Sequence, residues 1–353
     1  MYLESFLFNG YFCICMADKI KEGARQAVVN CVQVKENERV VIITDEETFS
    51  IGEAIKDEAL AITKNVSLFV MEDYGDRDFE PLWFPQEIAE TLSEADVSFY
   101  AAGSRQGELN RFRKPMIGVV QDNRIRHAHM PGVNKIIMET GMHADYSKVQ
   151  EMCSKVFNIV MNASTVSVRT KAGTDFEVWL NPEYKWVVSD GQITSEDWSN
   201  LPDGEVFTCA GNVNGKVVVD GVLGDYFDDK YGLIKQPLFL EIVDDVIVDT
   251  MCDNKELLED FNSYIKQDEN ASRIGEFAIG CNYFIKELIG SMLQDEKYPG
   301  VHIAAGHGYP EKTGVKWDSE AHCDMVLRDC SIWVDGLQIM KDGNFLEWPW
   351  VKR

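Results

Sequence analysis

The side chains able to do chemistry are few and unevenly placed. Of the six histidines in the chain, His302, His307 and His322 all fall in "GVHIAAGHGYPEKTGVKWDSEAHCDM", residues 300 to 325. On a strand, residues i and i+2 share a face, so "AHCDM" puts His322 beside Asp324 and turns Cys323 away. An imidazole and a carboxylate aimed at one point chelate zinc, cobalt, manganese or iron. The same spacing also serves a plain hydrogen-bonded pair. His302 is the sole polar side chain in "VHIAAG", a place for a satisfied core histidine or for a ligand. "GHGYP" is a glycine-permitted turn, and it presents Tyr309, whose phenol can hydrogen-bond into a site. His307, with no apolar flank, reads as a loop residue.

Two glutamates are equally out of place. Glu205 opens an apolar strand after a Pro-Asp-Gly turn in "LPDGEVFTCA", and Glu276 stands between Ile274 and Phe277 in "RIGEFAIG". A buried carboxylate is costly unless it is paired or holds a metal. Taken singly, each could sit at an exposed edge or pair with Arg273. Together with His302, His322 and Asp324 they are the donor inventory of a two-metal hydrolytic site.

The elements that must position these residues come in two textures. From about residue 17 to 165, helical patterns alternate with "RVVIIT" (39–44), "VSLFVM" (66–71), "VSFYAAG" (97–103) and "NKIIME" (134–139), the signature of βαβ units with a mostly parallel sheet. The first strand leads into "TDEETFSIGEA", which lacks the G-x-G-x-x-G turn of a dinucleotide site. A helix is predicted over 147–163. Beyond it, "STVSVRTKAGTDFEVWL" reads as a hairpin around Lys171, Ala172 and Gly173. Further strands are predicted at "GEVFTCA", "GKVVVDGV", "LFLEIVDDVIVDTM", "GVHIAAG", "CDMVLRDCSIWVDGLQIM" and "GNFLEW", with helices near 255–267 and 282–294. The expectation is an α/β domain over 16–165 and a β-rich, antiparallel α+β metal-binding catalytic domain over 166–353. Residues 1–15 lack either periodicity while an amphipathic helix begins at Met16, so 1–15 reads as a non-native extension.

Composition narrows the partners. A net charge of −25 over 353 residues repels phosphate backbones and anionic lipid, which argues against nucleic acid and membrane. No apolar run approaches the ~20 residues of a membrane span, and the start lacks a basic leader, pointing to a cytoplasmic protein. Nine cysteines without a C-x-x-C pair suit free thiols in a reducing compartment.

In the order "LPDGEVF", "RIGEFAIG", "VHIAAGHGY" and "HCD", the chain resembles the dinuclear-metal aminopeptidases of the aminopeptidase S and aminopeptidase T type, a thermophilic metallo-aminopeptidase family. The likeness runs from about residue 165 to 330 and includes "DEKYPGVHIAAGHGYPEKTG". It implies that Glu205, Glu276, His302, His322 and Asp324 hold two divalent ions (zinc, cobalt or manganese), and that Glu276 and Tyr309 take part in catalysis. It also implies an exopeptidase acting on short peptides, and a homodimer. Ala210 stands where the family pattern expects proline, and His307 where it expects a small or apolar residue. The alternative is a mononuclear non-haem iron dioxygenase of the dihydroxypyridine type, for which His302, His322 and Asp324 would make a facial triad and Glu205 and Glu276 would have no evident use.

Overall fold

The computed structural model describes residues 19–224 and 226–347; the stretch before Met16, read above as an extension, lies outside them. The chain forms two compact units, Met1–Ser147 with Gly191–Asp203 and Lys148–Asp190 with Gly204–Arg353.

The first unit is built on a parallel sheet. Its strands run in the order Asn65–Val70, Arg39–Thr44, Val97–Ala102, Arg126–Pro131 and Ser199–Asn200, every pair parallel. Strands covered on both faces read as continuous apolar runs, and Val97–Ala102 is buried throughout. Val41, Ile43, Tyr100 and Ala102 pack against Ile88 and Leu92 of the Gln86–Ser93 helix and Met116 and Val120 of the Lys114–Asp122 helix. Full burial of such side chains contributes about 1.5–3 kcal/mol each, which offsets the entropy of fixing the backbone.

One predicted strand is replaced. "NKIIME" forms a short helix, Lys135–Glu139, because Asn134 caps it by accepting from the Ile137 amide at 3.0 Å. Such a cap satisfies a donor that helix formation leaves bare. The fourth strand is instead Arg126–Pro131, "RHAHMP", whose histidines disguise a buried strand as a polar one.

The second unit carries two antiparallel sheets. The larger has eight strands, ordered Val246–Met251, Leu238–Val243, Asn212–Val219, Asp175–Trp179, Thr165–Arg169, Ser331–Val334, Leu337–Lys341 and Asn344–Phe345. The hairpin around Lys171, Ala172 and Gly173 is present in it. Asp244 and Asp245 close the Leu238–Val243/Val246–Met251 hairpin with φ of 50° and 69°, the left-handed pair that suits strand twist. The smaller sheet has the order His322–Leu327, Gly300–Gly306, Ile274–Gly280, Glu205–Thr208 and Val187–Ser189. Phe277 of this sheet meets Phe176 of the larger one edge to face, centroids 6.5 Å apart. One face of the smaller sheet is thereby committed to the apolar core.

Helices appear at Tyr146–Val160 and Lys255–Tyr264, but of the helix predicted over 282–294 only Met292–Asp295 forms. The amides of Ile289 and Gly290 donate to the Asp295 carboxylate at 2.7–3.0 Å, not to a helical ladder, and Gly290 has a φ of 84°. Among the described residues no helix is long and apolar enough to cross a membrane. Cys209, Cys252, Cys281 and Cys330 are free and buried, and Cys31, Cys153 and Cys323 are buried as well.

Candidate metal centre

The smaller sheet brings the five sequence-predicted donors onto one face. Register decides this. Gly280 pairs with Glu205 and Ala278 with His302. Ala304 lies between Glu276 on one side and Asp324 on the other, and Gly306 opposes His322. Cross-strand neighbours lie close enough for their side chains to touch, and here the intervening residues are glycine or alanine. The space they leave goes to the two glutamates, two histidines and the aspartate.

A β-bulge sets the phase. The pairing of Ile274–Gly280 with Gly300–Gly306 shifts between Ile274 and Glu276, and such a shift re-aims the side chains beyond it. Gly275 sits in the bulge, where a Cβ would lie 1.9 Å from the Gly306 carbonyl oxygen. No other residue fits. Glu276 consequently shares a face with His302 and Asp324, while Phe277 turns to the core.

The donor atoms converge. Glu276 Oε1 is 3.6 Å from His302 Nε2, and its Oε2 is 3.6 Å from His322 Nε2. Asp324 places Oδ2 3.3 Å from His322 Nε2 and Oδ1 3.9 Å from His302 Nε2, and Glu205 Oε2 is 3.4 Å from His302 Nε2. Among the described residues three groups have donor atoms all within 4.8 Å of one another: Glu205, Glu276 and His302; Glu276, His322 and Asp324; Glu296, His302 and Asp324. The site is closed at one end and open at the other. His302 and Glu276 side chains are 2% and 4% exposed, His322 is 25% exposed.

Surrounding groups orient these donors. His322 Nδ1 lies 3.0 Å from the His307 carbonyl oxygen. Donation there leaves Nε2 to face the acids, as in most histidine ligands. The backbone of His322 is pinned by the Tyr264 phenol, which accepts from its amide at 3.0 Å and donates to its carbonyl at 3.1 Å. Tyr309 adopts the left-handed conformation, φ 53° and ψ 61°, an uncommon state for a non-glycine residue and typical of functional turns. Its hydroxyl comes within 3.2 Å of His322 Nε2. The ring of His307 is tied up by Asp318. Arg273 pairs with Asp245 and stacks on Trp317.

Two residues here escaped sequence reasoning. Lys297, 3% exposed, donates from Nζ to Glu205 Oε1 at 2.6 Å and lies 2.9 Å from Glu296 Oε1. "DEK" at 295–297 looks like a solvated charge run; its one signal is the strand that follows at once. In the structure Asp295 and Lys297 are buried.

The electrostatics ask for cations. Burial alone would push His302 and His322 down, yet Glu276, Glu205 and Asp324 carry His302 up to about 9, and Asp324 with Glu276 carries His322 up to about 10. Burial works to raise Asp324, but the two histidines and Lys297 hold it down at about 2. Glu296 is pushed up to about 8, chiefly by burial, with Glu205 and Asp324 adding to it. Burial and then Glu276 and Asp324 hold Tyr309 well above its ordinary range, so it stays a hydroxyl donor. His302 Nδ1 is buried without a hydrogen-bond partner. Borderline nitrogens and hard oxygens in an acid-rich, buried cluster fit divalent metal.

No curated protein matches the chain. Among solved structures, wild-type AmpT from Thermus thermophilus matches with a TM-score of 0.67 at 17% identity, over 94% of this chain and 99% of that one. The 2,5-dihydroxypyridine dioxygenase from Pseudomonas putida KT2440 matches with a TM-score of 0.65, also at 17% identity, over 94% and 97%. At that identity both likenesses speak for the fold. The family evidence is separate: the profile of the thermophilic metalloprotease (M29) family matches residues 136–345, a span that holds the bulge, all five convergent donors and Tyr309, and the chain belongs to that family.

Proposed function

We propose that the protein is a metal-dependent aminopeptidase whose Glu205, Glu276, His302, His322 and Asp324 hold two divalent ions. One observation carries the reading: the two carboxylate oxygens of Glu276 each face a different histidine, at 3.6 Å. Glu276 therefore belongs to two donor groups, each with one histidine, the pattern of a carboxylate shared by two ions. For the dioxygenase alternative, His302 and His322 would have to meet with Asp324 on one ion, and they fall in different groups among the described residues.

Bound divalent ions supply Lewis acidity, lowering the pKa of water toward ~7 and polarising a peptide carbonyl. The residues of the chain do the rest. Glu276 accepts the proton of the attacking water at a carboxylate oxygen and returns it to the departing amine. Tyr309, held protonated, donates its hydroxyl hydrogen to the oxygen on which negative charge develops. The acid-rich wall gives a free α-ammonium its counter-charge and so limits cleavage to the first residue. Short peptides enter at the His322 end, the exposed edge of the site. The enzyme works as a cytoplasmic homodimer with zinc, cobalt or manganese.

The test is amino-acid release from short peptides. Free-amine peptides should lose their first residue, chelation should stop this, and zinc, cobalt or manganese should restore it. Equal cleavage of peptides with blocked amines would sink the exopeptidase assignment. A single iron, no peptidase activity and oxygen uptake with a dihydroxylated ring would establish the dioxygenase instead.

A further inference from the structure

Tyr309 reaches the donor cluster from a turn, not from the sheet. Three rings meet its own: His307 with centroids 4.9 Å apart and planes at 75°, His322 at 5.0 Å and 69°, and Phe207 at 5.4 Å and 57°. Phe207 belongs to the smaller sheet, and His322 is one of the donors. His307 belongs to the turn, and its ring is tied from outside. Its Nδ1 donates to Asp318 Oδ1, an oxygen that also accepts from the Ser319 amide at 2.8 Å. The Asp318 carbonyl in turn accepts from the Asn270 side-chain amide at 2.8 Å. The backbone of His307 is held separately: its amide donates to the Ala321 carbonyl at 2.6 Å, and its carbonyl faces His322 Nδ1 at 3.0 Å.

We infer that His307, anchored by Asp318, is a positioning residue that holds the phenol of Tyr309 toward the donor cluster. For its effect on rate the inference rests on the reading of Tyr309 as the donor to the developing oxyanion. An aromatic side chain chooses among staggered rotamers, and edge-to-face contact with a fixed ring favours one of them. The favoured one puts the hydroxyl 3.2 Å from His322 Nε2. A preorganised donor helps only while it stays at the point where charge develops. His307 is 27% exposed and Asp318 62%, so loss of either side chain frees the phenol toward solvent without opening the core. The backbone of His307, which serves His322, stays in place, and so should the metal.

Zinc-loaded protein, with metal content measured beside kcat and KM, tests this. His307→Ala should lower kcat about three- to tenfold, the scale of one ring contact, with KM and bound metal unchanged. Asp318→Ala should lower it less, and His307→Phe, which keeps an aromatic edge against Tyr309, should recover part of the loss. In a Tyr309→Phe background His307→Ala should cost nothing further, since no hydroxyl is left to place. Fluorine NMR of protein carrying meta-fluorotyrosine, with the Tyr309 signal identified by its loss in Tyr309→Phe, reads the ring without reference to activity. That signal should shift or broaden in His307→Ala. An unchanged signal, a His307→Phe variant as slow as His307→Ala, an equal loss in the Tyr309→Phe background, or a fall in kcat that follows loss of metal overturns the inference. If His307→Ala does not fold, the exposed-site variant Asp318→Ala decides by the same signal and the same cycle. A wild type that cleaves no peptide defeats the peptidase assignment, and the fluorine signal then decides the placement of Tyr309 by itself.

Discussion

Each unit of the protein buries a pair of histidines on its strands, and the two pairs respond to burial in opposite ways. His127 and His129, on Arg126–Pro131, are pushed down by burial, His127 to about 3 and His129 well below its ordinary value. Among the described residues no carboxylate is one of their hydrogen-bond or ring neighbours, which include the Ser98 hydroxyl at 2.8 Å from His127 Nδ1, each other at 3.2 Å, and the stacked ring of Tyr100, and the positive charge of Arg113 pushes His129 further down. His302 is as enclosed and His322 is partly exposed, yet they rise to about 9 and about 10 because their neighbours are carboxylates. Burial sets the size of the penalty, and the charge of the neighbours sets its sign.

Acidic clusters divide along the same line. In the first unit Arg77 meets Glu108 through Nε and Nη2 at 2.7 Å, Asp45 at 2.5 Å, and the Gly103 carbonyl at 2.8 Å. That network is closed in hydrogen bonds, since Glu72 takes the fifth N–H at 3.2 Å and leaves the guanidinium no spare donor, although its carboxylates outnumber that single positive charge. In the second unit Glu205, Glu276, Glu296 and Asp324 outnumber Lys297 even after the histidines are counted as proton carriers. A closed cluster holds a fold together; an open one holds something else.

The contrast can be broken at its open end first. Glu276→Gln removes the carboxylate that faces both histidines, and peptidase turnover should fall by ~10²- to 10⁴-fold, with loss of bound metal by elemental analysis. Retained turnover would place the proton transfer elsewhere. At the closed end, Arg77→Met leaves Asp45 and Glu108 buried without a counter-charge and should destabilise the first unit by about 3–5 kcal/mol in denaturant titration. The folded fraction should keep its metal content, and a parallel loss of metal would show that the two clusters are not independent.

Chelation offers a gentler probe. Free ion at a hundred times its dissociation constant stabilises by about 2.7 kcal/mol, so stripping the ions should lower the melting temperature of the wild type. The same treatment should leave the Glu276→Gln melt much less changed. Smallest is the acid limb of stability. Between pH 6.5 and about 3 the unfolded chain protonates His127 while the folded one does not, so the unfolded state binds more protons and stability falls as pH drops. By pH 5 this costs about 2 kcal/mol for that residue. A His127→Gln variant should flatten this limb in melts from pH 7 to 5, and an unchanged slope would show that other groups dominate.

How much of this was legible depended on range. The alternation in "HCD" puts His322 and Asp324 on one face because side-chain direction along a strand is a local property, and the structure keeps them there. "RVVIIT" and "VSFYAAG" read correctly because both faces of those strands are buried. "RHAHMP" did not, since its histidines are polar in composition and apolar in behaviour, being neutral where they lie. "NKIIME" misled because one cap at Asn134 outweighs a short β-branched run, and "NYFIKELIGSMLQ" (282–294) because Asp295 captures the amides that a helix would have used.

The sequence by itself determined the kinds of elements, the order of the donor residues and the family to which they point, since these rest on periodicity and on residues close together in the chain. Tertiary structure decided that donors from residue 205 to residue 324 meet on one face, that a bulge at Gly275 turns Glu276 toward them, and that Asp295 and Lys297 of "DEK" are buried, Lys297 against Glu205. It also decided the sign of every histidine shift. Register between strands far apart in the chain determines which charges become neighbours, and in a buried site that neighbourhood outweighs any intrinsic property of the residue.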